Sequence, residues 1–217
     1  MQNKSIILVL AIVMLFGFGC ARTVTSIVDY GDHMIVDVTL RGTLEVETNR
    51  YFMVLSSIEG YKVALPPPDI IENAPEFLEP GMTPELGSAE AYYANFYLTW
   101  SGYIIVDPGG YSTVKGPFAS NLSISREVFS TLGETKSKIV FTFQLSDIFG
   151  AAVPDRIYFD LVSVPWPVGQ AKIPADHLPS PNNYISKISG SVFYVDDSEN
   201  SSLDAGLDIL GCSIRME

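Results

Sequence analysis

The sequence predicts an all-β fold, an antiparallel β-sandwich with long Pro-rich loops and little helix. Three observations carry this. Short segments alternate apolar and polar residues with the period of a half-buried strand. Gly and Pro separate them at short spacing, 17 and 14 residues of a 217-residue chain. The chain is also rich in aromatics that fit a pleated surface, with 11 Tyr and 12 Phe. A closed β-barrel is the alternative architecture. An outer-membrane barrel does not fit, because the chain is hydrophilic between strands and many segments do not alternate.

The elements follow in order. His33–Leu40 places Met34, Val36, Val38 and Leu40 on one face and Asp37 and Thr39 on the other. Arg41-Gly42-Thr43 is a turn, Leu44–Glu47 alternates again, and Arg50–Ile58 returns as an apolar strand. Tyr61–Leu65 reads as one more short strand. Pro66-Pro67-Pro68 then opens an acidic, Pro-rich insertion over about 66–88, where periodicity stops. It is read as either a solvated loop or a lid or partner-binding loop.

Ala89–Trp100 mixes helix and strand signals and is read as strand from about Tyr92. Tyr103–Asp107 and Tyr111–Val114 form a hairpin around Pro108-Gly109-Gly110. Asn121–Ser125 is a short strand, and Arg126–Leu132 is either a strand or one helical turn. Lys138–Leu145 is the clearest strand of the chain, with Lys138, Val140, Thr142 and Gln144 outward. Ser146–Gly150 suggests a helical turn capped by Ser146 and closed by Gly150. Arg156–Val164 is apolar on both faces, as in a central strand. Tyr184–Val195 holds one or two strands around Gly190. From Asp196 the chain reads as an acidic tail, with Leu203–Leu210 a candidate short helix.

The first twenty residues differ in character. Met1–Lys4 carries one positive charge, Ile6–Phe18 is almost unbroken apolar sequence, and Gly19-Cys20-Ala21 follows. This is the layout of a secretory signal, and the apolar run is short for a membrane span. Gly17-Phe18-Gly19-Cys20 resembles the lipobox of bacterial lipoproteins, although Gly17 stands where that family usually has Leu and Phe18 where a small residue is common. The resemblance covers only this signal. It implies cleavage before Cys20, lipidation of the Cys20 thiol, and attachment of an extracytoplasmic domain to a membrane. An unlipidated signal peptide or an uncleaved anchor are the alternatives. The organisation expected is residues 1–19 as signal, 20–31 as lipidated N-terminus and linker, and 32–217 as one sandwich domain.

The formal charge is −12. That argues against nucleic acid as a partner and against electrostatic docking on anionic lipid. With Cys20 acylated, Cys212 is a lone thiol; otherwise a Cys20–Cys212 disulfide is the natural pairing.

Candidate chemistry is sparse. Only His33 and His177 exist, and no zinc-type spacing or Gly-x-Ser-x-Gly elbow appears. No catalytic constellation and no cofactor are predicted. Asp196, Asp197, Glu199 and Asp204 are hard oxygen donors that would suit calcium, against the plainer reading of a solvated tail. Trp100, Tyr103 and Trp166 lie near turns or strand ends, where an exposed ring could stack on a sugar; burial in the core is the competing reading. Three functions follow as expectations. The first is a tethered binding module for a glycan, an envelope polymer or another envelope protein. The second is a structural or assembly lipoprotein using the 66–88 insertion or a sheet edge. The third is a hydrolase, which needs two carboxylates facing across a cleft.

Overall fold

The computed structural model describes residues 28–63, 65, 96–118, 124–133, 136–168, 172–180 and 182–217. Cys20 and the insertion at 66–88 lie outside these. The strands in chain order are β1 (His33–Leu40), β2 (Asn49–Ser56), β3 (Gly102–Asp107), β4 (Gly110–Lys115), β5 (Arg126–Ser130) and β6 (Lys138–Gln144). The short helix α1 (Leu145–Phe149) follows, then β7 (Arg156–Pro165), β8 (Asp176–His177), β9 (Tyr184–Ser186), β10 (Val192–Asp196) and β11 (Ile209–Met216). They build two antiparallel sheets that pack together without closing, so the fold is a sandwich and not a barrel. The small sheet has the order β10-β11-β1-β6. The large sheet has the order β5-β4-β3-β2-β7-β8, with β9 pairing on the same edge of β7 as β8.

The inner faces meet in one core. Met34, Val36, Val38 and Leu40 of β1 and Ile139, Phe141 and Phe143 of β6 face Tyr51, Met53, Ile104, Phe159 and Leu161 of the large sheet. In the small sheet only that face is covered, so β1 and β6 alternate cleanly between buried and more open positions. The large sheet is covered on its second face too. Phe52, Val54, Tyr103, Ile105, Val162 and Val164 pack there against Tyr61, Val63, Tyr97, Trp100 and Phe118. Burial on both faces is why β2, β3 and β7 carry apolar residues on both sides instead of alternating.

Several local expectations are corrected. Leu44–Glu47 is not a strand: the Asn49 amide bonds to the Glu45 carbonyl at 2.9 Å, a helix-like turn whose Leu44 and Val46 are buried and mimic strand alternation. Tyr61–Val63 runs without a ladder partner, inserting Tyr61 and Val63 into the second core. Phe96–Trp100 forms a helical turn, the Trp100 amide bonding to the Tyr97 carbonyl at 3.1 Å. α1 begins at Leu145, with Gln144 and not Ser146 at its N-cap, and Gly150 closes it at φ 66°. The largest miss is the C-terminus. The chain from Asp196 is not a solvated tail, and Leu203–Leu210 is not helical; β11 returns as a central strand between β10 and β1. Cys212, Ile214 and Met216 alternating with Ser213 and Arg215 is the signal that marks it. Among the described residues no helix is long and apolar enough to cross a membrane.

Candidate functional site

The uncovered outer face of the small sheet carries a cleft of about 370 Å³. Register builds it in rows. Tyr194, Ser213, Asp37 and Val140 stand side by side across β10, β11, β1 and β6, and the next row is Asp196, Gly211, Thr39 and Lys138. Gly211 contributes no side chain, so the floor between Asp196 and Thr39 drops to backbone. A Cβ at this position would come within 2.9 Å of the Val195 carbonyl, which favours glycine.

The polar groups on this face are already aimed. The Lys138 ammonium stands 3.0 Å from both carboxylate oxygens of Asp37. The Tyr194 hydroxyl donates to Asp196 Oδ1, and that bond raises the Tyr194 pKa. The Tyr194 ring itself is 67% exposed. An open aromatic face thus lies beside two acceptor carboxylates, one ammonium and the Thr39 and Ser213 hydroxyls. Such a surface can stack on an apolar ring face while hydrogen-bonding its substituents.

A second cluster is buried at the open edge of β7. β9 pairs with β7 through Tyr158 and β8 pairs from Val162 on, so neither strand partners the residues between. Asp160 fills the gap. Its Oδ1 accepts from the amides of Leu161 at 2.7 Å and Leu178 at 3.0 Å, replacing missing ladder acceptors. Its Oδ2 lies 3.4 Å from His177 Nδ1, an ion-pair distance without the geometry of a hydrogen bond. Burial pushes the Asp160 carboxyl up to about 6, opposed by His177 and the two amides. Asp160 in turn raises the His177 pKa against the effect of its own burial. Among the described residues the buried Tyr61 hydroxyl has no hydrogen-bond partner. This arrangement closes a sheet edge, with Asp160 buried inside it.

The sequence-predicted residues fall elsewhere. Trp100 and Tyr103 are core residues, 4% and 0% exposed, and an enclosed ring has no face to offer a sugar. Trp100 Nε1 donates to the Lys62 carbonyl at 2.7 Å, the partner that lets an indole be buried. Trp166 is half-buried beside Phe52, with Arg50 5.6 Å and Lys172 5.2 Å from its ring centroid. Those cations compete for its π face.

The acidic segment does not gather its donors either: among the described residues no group of three His, Cys, Asp or Glu could hold a metal. Asp196 accepts from Tyr194, Asp197 caps the Ser198 amide at 2.6 Å, and Asp204 accepts from the Gly206 amide at 2.9 Å. Glu199 lies 3.8 Å from Arg41. Asp208, 1% exposed, takes the Arg41 guanidinium at 2.6 Å, and Arg41 also donates to the Leu203 carbonyl. Arg41 thus organises the loop for which the sequence suggested calcium. Cys212 is a buried free thiol, its pKa pushed up to about 12 chiefly by burial.

Sequence reasoning placed Asp37 and Lys138 on outward faces but not together, since they are 101 residues apart. Tyr194 had a readable signal, an aromatic at the centre of the alternating segment Val192–Asp196. No known protein family, curated protein or solved structure matches this chain.

Proposed function

We propose that the protein is an extracytoplasmic lipoprotein, tethered through Cys20, whose sandwich binds an envelope glycan across the outer face of the small sheet. The observation that carries the binding reading is the exposed Tyr194 ring beside Asp37, Asp196 and Lys138. A pyranose lays an apolar C–H face on such a ring while its hydroxyls meet carboxylate and hydroxyl partners. The cleft lies on an open sheet face, which suits a segment of a polymer better than a small molecule that must be enclosed. The tether reading is supported by the apolar run ending at Gly19-Cys20.

A screen of glycans and envelope polymers against the purified protein and its Tyr194→Ala variant tests the binding reading. The expected result is a polymer whose affinity falls about tenfold in the variant, the worth of one aromatic stacking contact. Binding that is undiminished in the variant, or absent for every polymer, overturns it.

A further inference from the structure

One pole of the sandwich concentrates apolar side chains in water. Val28, Tyr30, Tyr184, Ile188 and Val192 are each between 45% and 65% exposed. They come from two short segments that are stitched together. Tyr30 pairs with Ile188 in an isolated antiparallel bridge, which projects both side chains to the same side. The Gly31 amide bonds to the Lys187 carbonyl at 3.0 Å, and the Ser189 amide to the Asp29 carbonyl at 2.9 Å. Tyr184 and Val192 line one open groove of about 340 Å³.

The place of this patch in the chain says what covers it. Val28 follows Cys20 by only eight residues. Fully extended, that length reaches at most about 28 Å. If Cys20 is acylated, this pole is the part of the sandwich that the tether holds nearest to lipid. The chemistry of the patch is interfacial as well. The Lys187 ammonium lies 5.5 Å from the Tyr30 ring centroid, and the Arg156 guanidinium 5.3 Å from that of Tyr184. Tyrosines with a cation beside them suit the headgroup region, where one part of the side chain is apolar and the other wet. Asp29 and Asp155 belong to the same pole, so the attraction is apolar and directed to zwitterionic lipid.

We propose that this pole rests on the bilayer, seating Tyr30, Tyr184, Ile188 and Val192 at the lipid interface. The inference depends on the lipoprotein reading. It orients the glycan-binding face: β10 runs upward from Val192, and Tyr194 and Asp196 follow it within about 13 Å of strand.

The test uses the full-length lipidated protein in phosphatidylcholine vesicles containing acyl-brominated phosphatidylcholine. Two variants are compared with the parent, whose two native tryptophans set the background. Ile188→Trp reports the proposed contact. Val168→Trp, fully exposed just beyond the opposite end of β7, is the control. Flotation reports attachment separately. Expected is that all proteins float and that the added emission of Ile188→Trp falls about twofold, because interfacial burial of about 5–10 Å brings the indole to the bromines, while Val168→Trp is unchanged. Proteins that float with Ile188→Trp unquenched overturn the inference and leave the tether standing; dimers cross-linked through this pole in that case would assign it to a second copy. Lipidated protein that fails to float overturns the tether and the inference together.

Discussion

Replacing Asp160 should destabilise the sandwich more than any exposed acid would. In Asp160→Ala the amides of Leu161 and Leu178 lose their shared acceptor at a site that is 0% exposed. Each buried donor left unpaired costs about 1–3 kcal/mol. Removing the carboxylate also removes its desolvation penalty, so the net loss expected is about 3 kcal/mol, or about 6–12 °C in Tm for a domain of this size. Asp160→Asn keeps an acceptor at Oδ1 and should lose under half as much. The two variants also differ from the parent in pH dependence. The folded chain holds the Asp160 proton to about pH 6, whereas the ordinary value is 3.8. The native state therefore binds more protons between those values, and parental stability falls as pH rises through that window. His177 acts with the same sign. Its folded pKa is raised, so its contribution is complete below its ordinary 6.5 and is lost as pH climbs through the folded value. Urea unfolding followed by circular dichroism from pH 4 to 8 reads both effects. A loss below about 1 kcal/mol in Asp160→Ala would refute the edge-capping role. Parallel pH curves for the parent and Asp160→Asn would refute the buried titration.

Two further outcomes follow from the proposed anchor and from the loop before β11. Cys20→Ala should release the protein into the soluble fraction or stall its processing, measured by acyl labelling and fractionation; unchanged labelling and membrane retention would sink the lipoprotein reading. Arg41→Ala strands the Asp208 carboxylate with only the Asn200 amide at 3.1 Å, and should cost about 3 kcal/mol in chemical unfolding. The pair replacement Arg41→Met with Asp208→Leu should recover much of that loss. If the single variant is as stable as the parent, Arg41 does not organise the loop.

Much of the fold was legible in residue order, for reasons visible at particular strands. β1 and β6 line one solvated sheet, so burial on one face imposes period two, and Met34–Leu40 and Ile139–Phe143 display it. β7 is buried on both faces, and its apolar residues on both sides announced a central strand without saying what covered each side. The second face is closed by Tyr61, Val63, Tyr97 and Trp100, which flank the Pro-rich insertion. That packing withdrew Trp100 and Tyr103 from the surface. β8 is two residues long, too short to carry a periodic signal.

The candidate site was legible only in fragments. Asp37, Lys138 and the aromatic at 194 each sit at outward positions of alternating strands, and local periodicity fixes that much by itself. Asp37 and Lys138 meet through the pairing of β1 with β6, and Tyr194 joins them because β11 enters between β10 and β1, registers set by long-range pairing. The same holds for Arg41 with Asp208, 167 residues apart, while Asp160 meets His177 through the pairing of β7 with the next strand, β8. The sequence by itself determined the alternation, the all-β class, the acidic balance and the apolar run ending at Gly19-Cys20, because these are properties of neighbours in the chain. Tertiary structure alone decided which rings are buried, which carboxylates are capped or paired, and that the open aromatic is Tyr194, because burial and pairing are set by the strand that arrives alongside.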